Sequence, residues 1–276
     1  MSGADVSVII PAYEARETIA AAVGSALRQS GIGVEIVICA DDGVDYVSLL
    51  ARAGVAASGI VQCRSPQPRS GPASARNMAV AHASAEFIAC LDADDEFDDG
   101  RLARLLSAAG RDGAAAGPTR EFDEHGKLRR TAAPDHAGGA LSVADIASIR
   151  MPYFPVFHRD LIGPGWPCLS FAEDMIFNVG LATCVPSYAF VNEATYSYHR
   201  RAGSLSYSED TLARSARAYG EILSYLDDCP WPQAARATVR TIIEEDLRRA
   251  KSALNDRGNQ AEAWRRAVST PGSRNL

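Results

Sequence analysis

The chain has 276 residues, of which 47% are apolar and 22% charged, with a formal net charge of −6. That length and composition suit one large α/β domain with an extension, and the negative balance argues against a nucleic-acid binder. Cys39, Cys63, Cys90, Cys168, Cys184 and Cys229 show no C-x-x-C spacing, and Cys39 and Cys90 lie in apolar runs as small hydrophobes, as expected in a reducing cytoplasm.

The run over 6–10 is β-branched and closed by Pro11, a buried first strand. It is too short for a secretion signal and lacks a basic flank. A helix is expected over 18–29. A second strand over 34–40 ends in Asp41-Asp42-Gly43, and a shorter third strand covers 60–63. A Pro/Gly/Ser loop over 66–72 leads into an Ala-rich helix over 73–83 and a fourth strand over 87–91. Strands alternating with helices predict a parallel sheet covered on both faces.

Beyond Gly110 the pattern changes. Ala114-Ala115-Ala116 suits a short central strand, and 120–129 a polar hairpin turning at His125-Gly126. Residues 134–140 read as loop. Residues 153–157 form an aromatic strand in which Pro155 suggests a sheet edge. A helix is expected over 173–181, and the alternation over 188–198 predicts one half-buried strand. From Glu209 onward the pattern is helical and amphipathic, broken by Pro230-Trp231-Pro232. No stretch approaches the apolar length of a membrane span. The two amphipathic helices are free to pack on the core, form a homodimer or lie on a membrane. Glu244-Glu245-Asp246 disfavours an anionic surface.

The most informative stretch is Phe87-Ile88-Ala89-Cys90-Leu91-Asp92-Ala93-Asp94-Asp95, an apolar strand that ends in carboxylates. Ligands of open parallel sheets bind outside such strand ends. Crowded aspartates there repel unless a cation joins them, and hard oxygens suit Mg²⁺ or Mn²⁺ completed by substrate phosphates. An EF-hand loop fails, because Phe97 stands where the turn glycine is needed and Ala103 where the bidentate Glu belongs. Asp98 or Asp99 can instead cap a following helix with Leu102, Leu105 and Leu106 as its apolar stripe.

Taken together, four motifs in order resemble the family 2 glycosyltransferases of the GT-A fold. Val8-Ile9-Ile10-Pro11-Ala12-Tyr13-Glu14 resembles the opening strand, and Glu35-Ile36-Val37-Ile38-Cys39-Ala40-Asp41-Asp42-Gly43 the second. Gly71-Pro72-Ala73-Ser74-Ala75-Arg76-Asn77 resembles the Gly-x-x-x-Ala-Arg-Asn motif, and Leu91-Asp92-Ala93-Asp94-Asp95 the metal motif. Glu173-Asp174 resembles the pair that supplies the catalytic base. The stretch over 196–206, with Tyr196, Tyr198, His199, Arg200 and Arg201, resembles a Tyr-x-Tyr-Arg segment. Val44 replaces a common Ser, and Ala40 is an extra residue.

The resemblance implies a mostly parallel Rossmann-like sheet with helices on both faces. The GT-A domain would cover 1–207, nucleotide-binding over 1–110 and acceptor-side over 111–207, and a helical extension 208–276. It implies an inverting, metal-dependent transfer from a nucleotide sugar, UDP-linked by preference, to a hydroxyl acceptor, in bacterial surface polysaccharide synthesis. Pro11, Tyr13, Glu14, Asp41, Asp42, Arg76, Asp92 and Ala93 would bind the donor, with Tyr13 stacking on the base. Asp41 or Asp42 would accept the uracil imide proton, although Asp-Asp-Gly is also a turn sequence. Arg76 would meet nucleotide or an active-site carboxylate, and Asn77 would brace its loop or touch ligand. Asp92 falls to the ribose and Asp94 to Mn²⁺ or Mg²⁺, with His199 a further ligand or a structural residue. Asp174 would be the general base, though acids also favour helix N-termini. Trp166, Glu173 and Asp95 are candidates for sugar contacts, Trp166 alternatively a core aromatic.

Two other readings compete. A nucleotidyltransferase of similar fold would carry glycines after its first strand, where Pro11-Ala12-Tyr13-Glu14-Ala15-Arg16 has none. An inactive nucleotide-sugar-binding module would have no need of both Asp94 and Asp174. The acceptor partner would be a saccharide, free or lipid-linked, at the cytoplasmic side of the membrane.

Overall fold

A computed structural model of the protein describes residues 3–56, 58–135, 139–201 and 211–255. Its first part alternates strands and helices: β1 (Val6–Ala12), α1 (Ile19–Leu27), β2 (Val34–Ala40), α2 (Tyr46–Arg52), β3 (Ile60–Arg64), α3 (Pro72–His82) and β4 (Phe87–Cys90). Next come β5 (Glu96–Phe97), α4 (Arg101–Asp112), β6 (Gly113–Ala116), β7 (Thr119–Phe122), β8 (Leu128–Ala132), β9 (Gly139–Ala140) and α5 (Val143–Ser148). The chain continues through β10 (Val156–His158), a 3-10 turn (Arg159–Ile162), α6 (Glu173–Cys184), β11 (Ser187–Phe190), β12 (Tyr196–His199), α7 (Thr211–Asp228) and α8 (Gln233–Asn255).

Eight strands form the main sheet in the order β3-β2-β1-β4-β10-β6-β11-β9. β1 to β4 are mutually parallel. Val6, Val8, Ile9, Ile10, Ile36, Val37 and Ile38 are all fully buried, as expected for strands covered on both faces. Sequence order reverses between β1 and β4, and their carboxyl ends flank the crevice where such sheets take ligands. A smaller sheet, β5-β12-β7-β8, stands beside this edge.

Several expectations are corrected. Residues 188–198 are two strands in two sheets, β11 and β12, joined across 191–195. Gly117 explains the tight passage there, because a Cβ on it would lie 1.9 Å from the Ala194 carbonyl oxygen. β10 is not an edge strand. It runs antiparallel between β4 and β6, and Pro155 precedes the ladder, so its missing N–H breaks no pairing. α4 is capped by Gly100 in the left-handed region rather than by Asp98 or Asp99. The Asp98 carboxylate is taken by the Ser197 hydroxyl at 2.7 Å and by Arg120. Part of the expected loop over 134–140 is the short strand β9.

α7 and α8 pack on each other and on the same core, through Leu212, Tyr219, Ile222, Val239 and Ile243. Arg150 reaches the buried Asp246 of α8 at 2.5 Å, which ties the extension to the strand-bearing part. Gly180 of α6 leaves room for Trp231 between the two helices, 3.1 Å from where a Cβ would stand. The expected boundary at 207/208 and the segment 202–206 lie outside the described residues. Among the described residues no helix is long and apolar enough to cross a membrane.

Candidate active site

The carboxyl ends of β1, β2 and β4 carry the acidic motifs to one place. Asp41 and Asp42 follow β2 but have different surroundings. Asp41 is buried, and its two oxygens accept the backbone N–H groups of Ser70 and Gly71 at 3.0 and 2.9 Å. It therefore shapes the loop that starts α3. Asp42 accepts from the N–H groups of Glu14 (2.9 Å) and Val44 (3.0 Å) and from the Tyr46 hydroxyl (2.8 Å). Burial works against its charge, but these bonds keep its carboxyl below the usual aspartate value. Asp42, Glu14, Arg16, Glu17, Val44 and Arg201 line a hollow of ≈ 380 Å³. Glu14 takes a left-handed backbone, φ 50°, to turn its N–H onto Asp42. Pro11 lies within β1, and the Ala12 carbonyl accepts the Asp41 N–H at 2.8 Å. Tyr13 is 38% exposed, and its hydroxyl accepts from Arg69 Nε at 2.6 Å.

The loop after β4 separates its aspartates by role. Asp95 is fully buried and accepts from the Tyr196 hydroxyl and the His199 N–H, each at 2.8 Å. Burial and then its neighbours Asp94 and Asp92 push its carboxyl well above the usual range. It pins the loop to β12 and has no surface for a sugar, contrary to expectation. The Tyr196 hydroxyl also accepts the Asp92 N–H at 3.1 Å, so one phenol spans the loop. Ala93 between them is buried.

Asp94 faces outward, and Arg201 holds its Oδ2 with Nε at 3.1 Å and Nη2 at 2.6 Å. His199 does not join it. Side chains alternate along β12, so His199 lies on the face opposite Tyr196. There its ring stacks on Phe122 at 5.4 Å, and Nε2 lies 3.7 Å from Glu96. Among the described residues no group of three or more His, Cys, Asp or Glu could enclose a metal. One outward carboxylate matches a Mg²⁺- or Mn²⁺-type site that takes its remaining ligands from phosphates and water.

Arg76, reached through Gly71 and Pro72 at the start of α3, is almost completely buried. Its Nη2 donates to Asp92 at 2.7 Å and its Nη1 to Glu173 at 2.8 Å. The guanidinium lies 5.1 Å from the Phe154 ring centroid. Burial opposes its charge, yet Asp92 and Glu173 hold its pKa well above the usual arginine value. Arg76 thus pairs with two carboxylates, Asp92 and Glu173, rather than standing free for a ligand.

Glu173 and Asp174 open α6, whose N-cap Ala172 has φ 59°. A non-glycine residue held in that region marks a strained, over-determined position. A first-turn carboxylate is normally stabilised by the helix dipole. Asp174 goes the other way. Burial first, then the Glu173 charge, raise its carboxyl to about 7 against the pull of Arg76.

Trp166 is a core residue rather than a sugar platform. It is 2% exposed and stacks on Phe177 with centroids 3.9 Å apart. Asn77 braces its loop, donating from Nδ2 to the Trp166 carbonyl and accepting its N–H at Oδ1, both at 2.9 Å.

Tyr196, Arg69 and the grip of Arg201 on Asp94 are site features without an assigned role in the sequence reading. The Tyr-x-Tyr alternation carries a signal for Tyr196. None exists for Arg69, whose partner Tyr13 lies 56 residues away.

Comparison with known proteins shows the family. The profile of Glycosyl transferase family 2 matches residues 7–164, more than half of the 276-residue chain. The chain belongs to glycosyl transferase family 2. The succinoglycan biosynthesis protein ExoU of Rhizobium meliloti (strain 1021) is 42% identical over 108 residues, 39% of this chain and 31% of that protein. ExoO of the same organism is 27% identical over 232 residues, 73% of this chain and 62% of ExoO. The matched part is thus less than two thirds of either relative. The crystal structure of S. aureus TarS 1-349 with UDP-GlcNAc superposes with a TM-score of 0.69 at 16% identity, covering 95% of this chain and 79% of that one. At that identity the likeness shows the fold, which is GT-A.

Proposed function

We propose that this family 2 protein is an inverting glycosyltransferase that moves a sugar from a nucleoside-diphosphate donor to a hydroxyl acceptor in bacterial polysaccharide synthesis. The observation that carries this reading is Asp174. Its half-buried carboxyl, raised to about 7, stands beside the Asp92–Arg76–Glu173 chain at the crevice. A base poised near neutral pH is what removing a hydroxyl proton requires. The succinoglycan relatives support the polysaccharide context.

The donor nucleotide fits the hollow at the ends of β1 and β2. Asp42, which lines that hollow, would accept the imide N–H of uracil with the capacity its three intramolecular bonds leave. Cytosine offers no proton there, so a UDP-sugar is favoured, and TarS with UDP-GlcNAc is consistent with this. Tyr13 offers a face for the base and Asp92 a carboxylate for the ribose. Asp94 would hold Mn²⁺ or Mg²⁺, which when bound neutralises charge on the departing diphosphate. Arg201 stands within reach of both Asp94 and the hollow, so it can pair with phosphates as well.

Asp174 takes the proton of the acceptor hydroxyl as that oxygen forms its bond to the anomeric carbon. The bond from that carbon to the diphosphate oxygen breaks, and the electron pair leaves with the nucleoside diphosphate. Direct displacement inverts the centre and needs no protein nucleophile.

A donor screen tests this reading. Purified protein with Mn²⁺ is offered UDP-, GDP-, CDP- and dTDP-sugars, and free nucleoside diphosphate is measured. Release from a UDP-sugar is expected, and release from none would contradict the proposal.

A further inference from the structure

Arg76 has an arrangement that simple donor binding does not explain. It sits in α3, but its two terminal nitrogens reach two other elements: Asp92 after β4 and Glu173 at the start of α6. The Phe154 ring lies against its guanidinium, and its Nε is buried without a partner among the described residues. With 3% of its surface exposed, it offers little to a ligand. What it joins are the donor side and the base side of the crevice.

We propose that Arg76 is a positioning residue: one buried guanidinium registers the base-bearing helix against the donor loop and keeps Asp174 competent to take a proton. This rests on Asp174 being the base.

Charge couples Arg76 to Asp174. Three carboxylates meet here, Asp92, Glu173 and Asp174, with the Cys90 thiol behind them on β4. Arg76 is the cation among them. Glu173 acts on Asp174 in the opposite sense to Arg76, disfavouring its ionised form. The Asp174 carboxyl thus sits between a pull from α3 and a push from its own neighbour. Without Arg76, Asp92 and Glu173 lose their counter-charge, both move apart, and Asp174 keeps its proton to higher pH. A neutral Asp174 cannot act as base.

The pair of opposite effects supplies the test. Carboxyl ¹³C NMR follows the Asp174 titration in the whole chain without donor, with Asp174→Asn assigning the signal. Arg76→Gln should raise the midpoint by at least about one pH unit, and Glu173→Gln should lower it. Arg76→Lys, which keeps the charge but not the fork, should restore the midpoint and still leave transfer impaired in kcat. Midpoints unmoved in folded Arg76→Gln and Glu173→Gln would overturn the inference. Should Arg76→Gln fail to fold, Arg76→Lys decides alone, and a kcat equal to that of the unaltered protein overturns it. The reading of Asp174 as base fails separately, if Asp174→Asn retains transfer.

Discussion

Arg201 grips one oxygen of Asp94 with two nitrogens, Nε at 3.1 Å and Nη2 at 2.6 Å. A cation therefore already stands where the metal is proposed. A divalent ion arriving without nucleotide has to compete with it. Arg201→Met should tighten Mn²⁺ binding in the absence of nucleotide by about fivefold, the worth of a partly exposed ion pair. Titration of free Mn²⁺ by electron paramagnetic resonance measures this. Equal or weaker affinity in the variant would count against competition at Asp94.

Asp94→Ala should remove the metal dependence of nucleotide binding. In the unaltered protein, calorimetry of UDP with Mn²⁺ and with EDTA should differ by at least about tenfold in Kd, or 1.4 kcal/mol. In the variant the two curves should coincide near the EDTA value. A metal effect that survives the substitution would place the ion elsewhere.

The tether between α3 and the loop before α6 is open to a stability test. Gly165 has φ 78°, and a Cβ there would meet Asn77 Oδ1 at 2.2 Å. Gly165→Ala should cost about 2–4 kcal/mol in urea unfolding, from backbone strain and loss of the Asn77 bonds. Asn77→Ala should cost about 1–3 kcal/mol, because it strands the Trp166 N–H and carbonyl. Normal stability in both would show that the tether contributes nothing.

The elevated Asp174 carboxyl has a thermodynamic consequence of definite sign. In the unfolded chain it ionises near 3.8, in the folded protein at about 7. Below the lower value both states are protonated and nothing is lost. Between the two, the unfolded chain sheds its proton first, so folding is progressively penalised until the penalty is complete above 7. Asp174→Asn escapes it. Its melting temperature should exceed that of the unaltered protein at pH 8, by roughly 2–4 °C for each kcal/mol relieved. That difference should shrink as pH falls toward 5. A gain independent of pH would contradict the assigned titration.

Much of the fold is legible along the chain because it is local. β2 begins and ends at Val34 and Ala40 as its apolar run predicts. The hairpin β7–β8 turns at the expected Gly126, φ 73°. What the sequence conceals are choices settled by distant partners. Tyr188 and Tyr196 continue one alternation but belong to different sheets, a division set by pairing with β6 and β7. Asp98 is no cap because Ser197, 99 residues on, takes its carboxylate. The short helices α2 and α5 lack a long apolar period, although local signals exist: the Asp45 side chain accepts the Ser48 N–H, and Ser142 with Asp145 forms a capping box.

The site divides in the same way. Motif order brings Asp42, Asp92, Asp94, Arg76 and Asp174 to one crevice. No spacing rule, though, says that Asp41 would be spent on Ser70 and Gly71 while Asp42 faces the hollow. Nor could it say that Asp95 would turn inward to Tyr196. Trp166 is ambiguous in sequence because a stacking platform and a core aromatic look alike until burial is known.

The central claim, that Asp174 is the base, is tested most directly by Asp174→Asn with the best donor from the screen. Asn keeps the shape and the helix-capping ability of Asp but cannot accept the proton. Donor affinity by calorimetry should be unchanged, while sugar transfer falls by about 10²–10⁴-fold in both kcat and kcat/KM. Near-normal transfer by this variant would contradict the account.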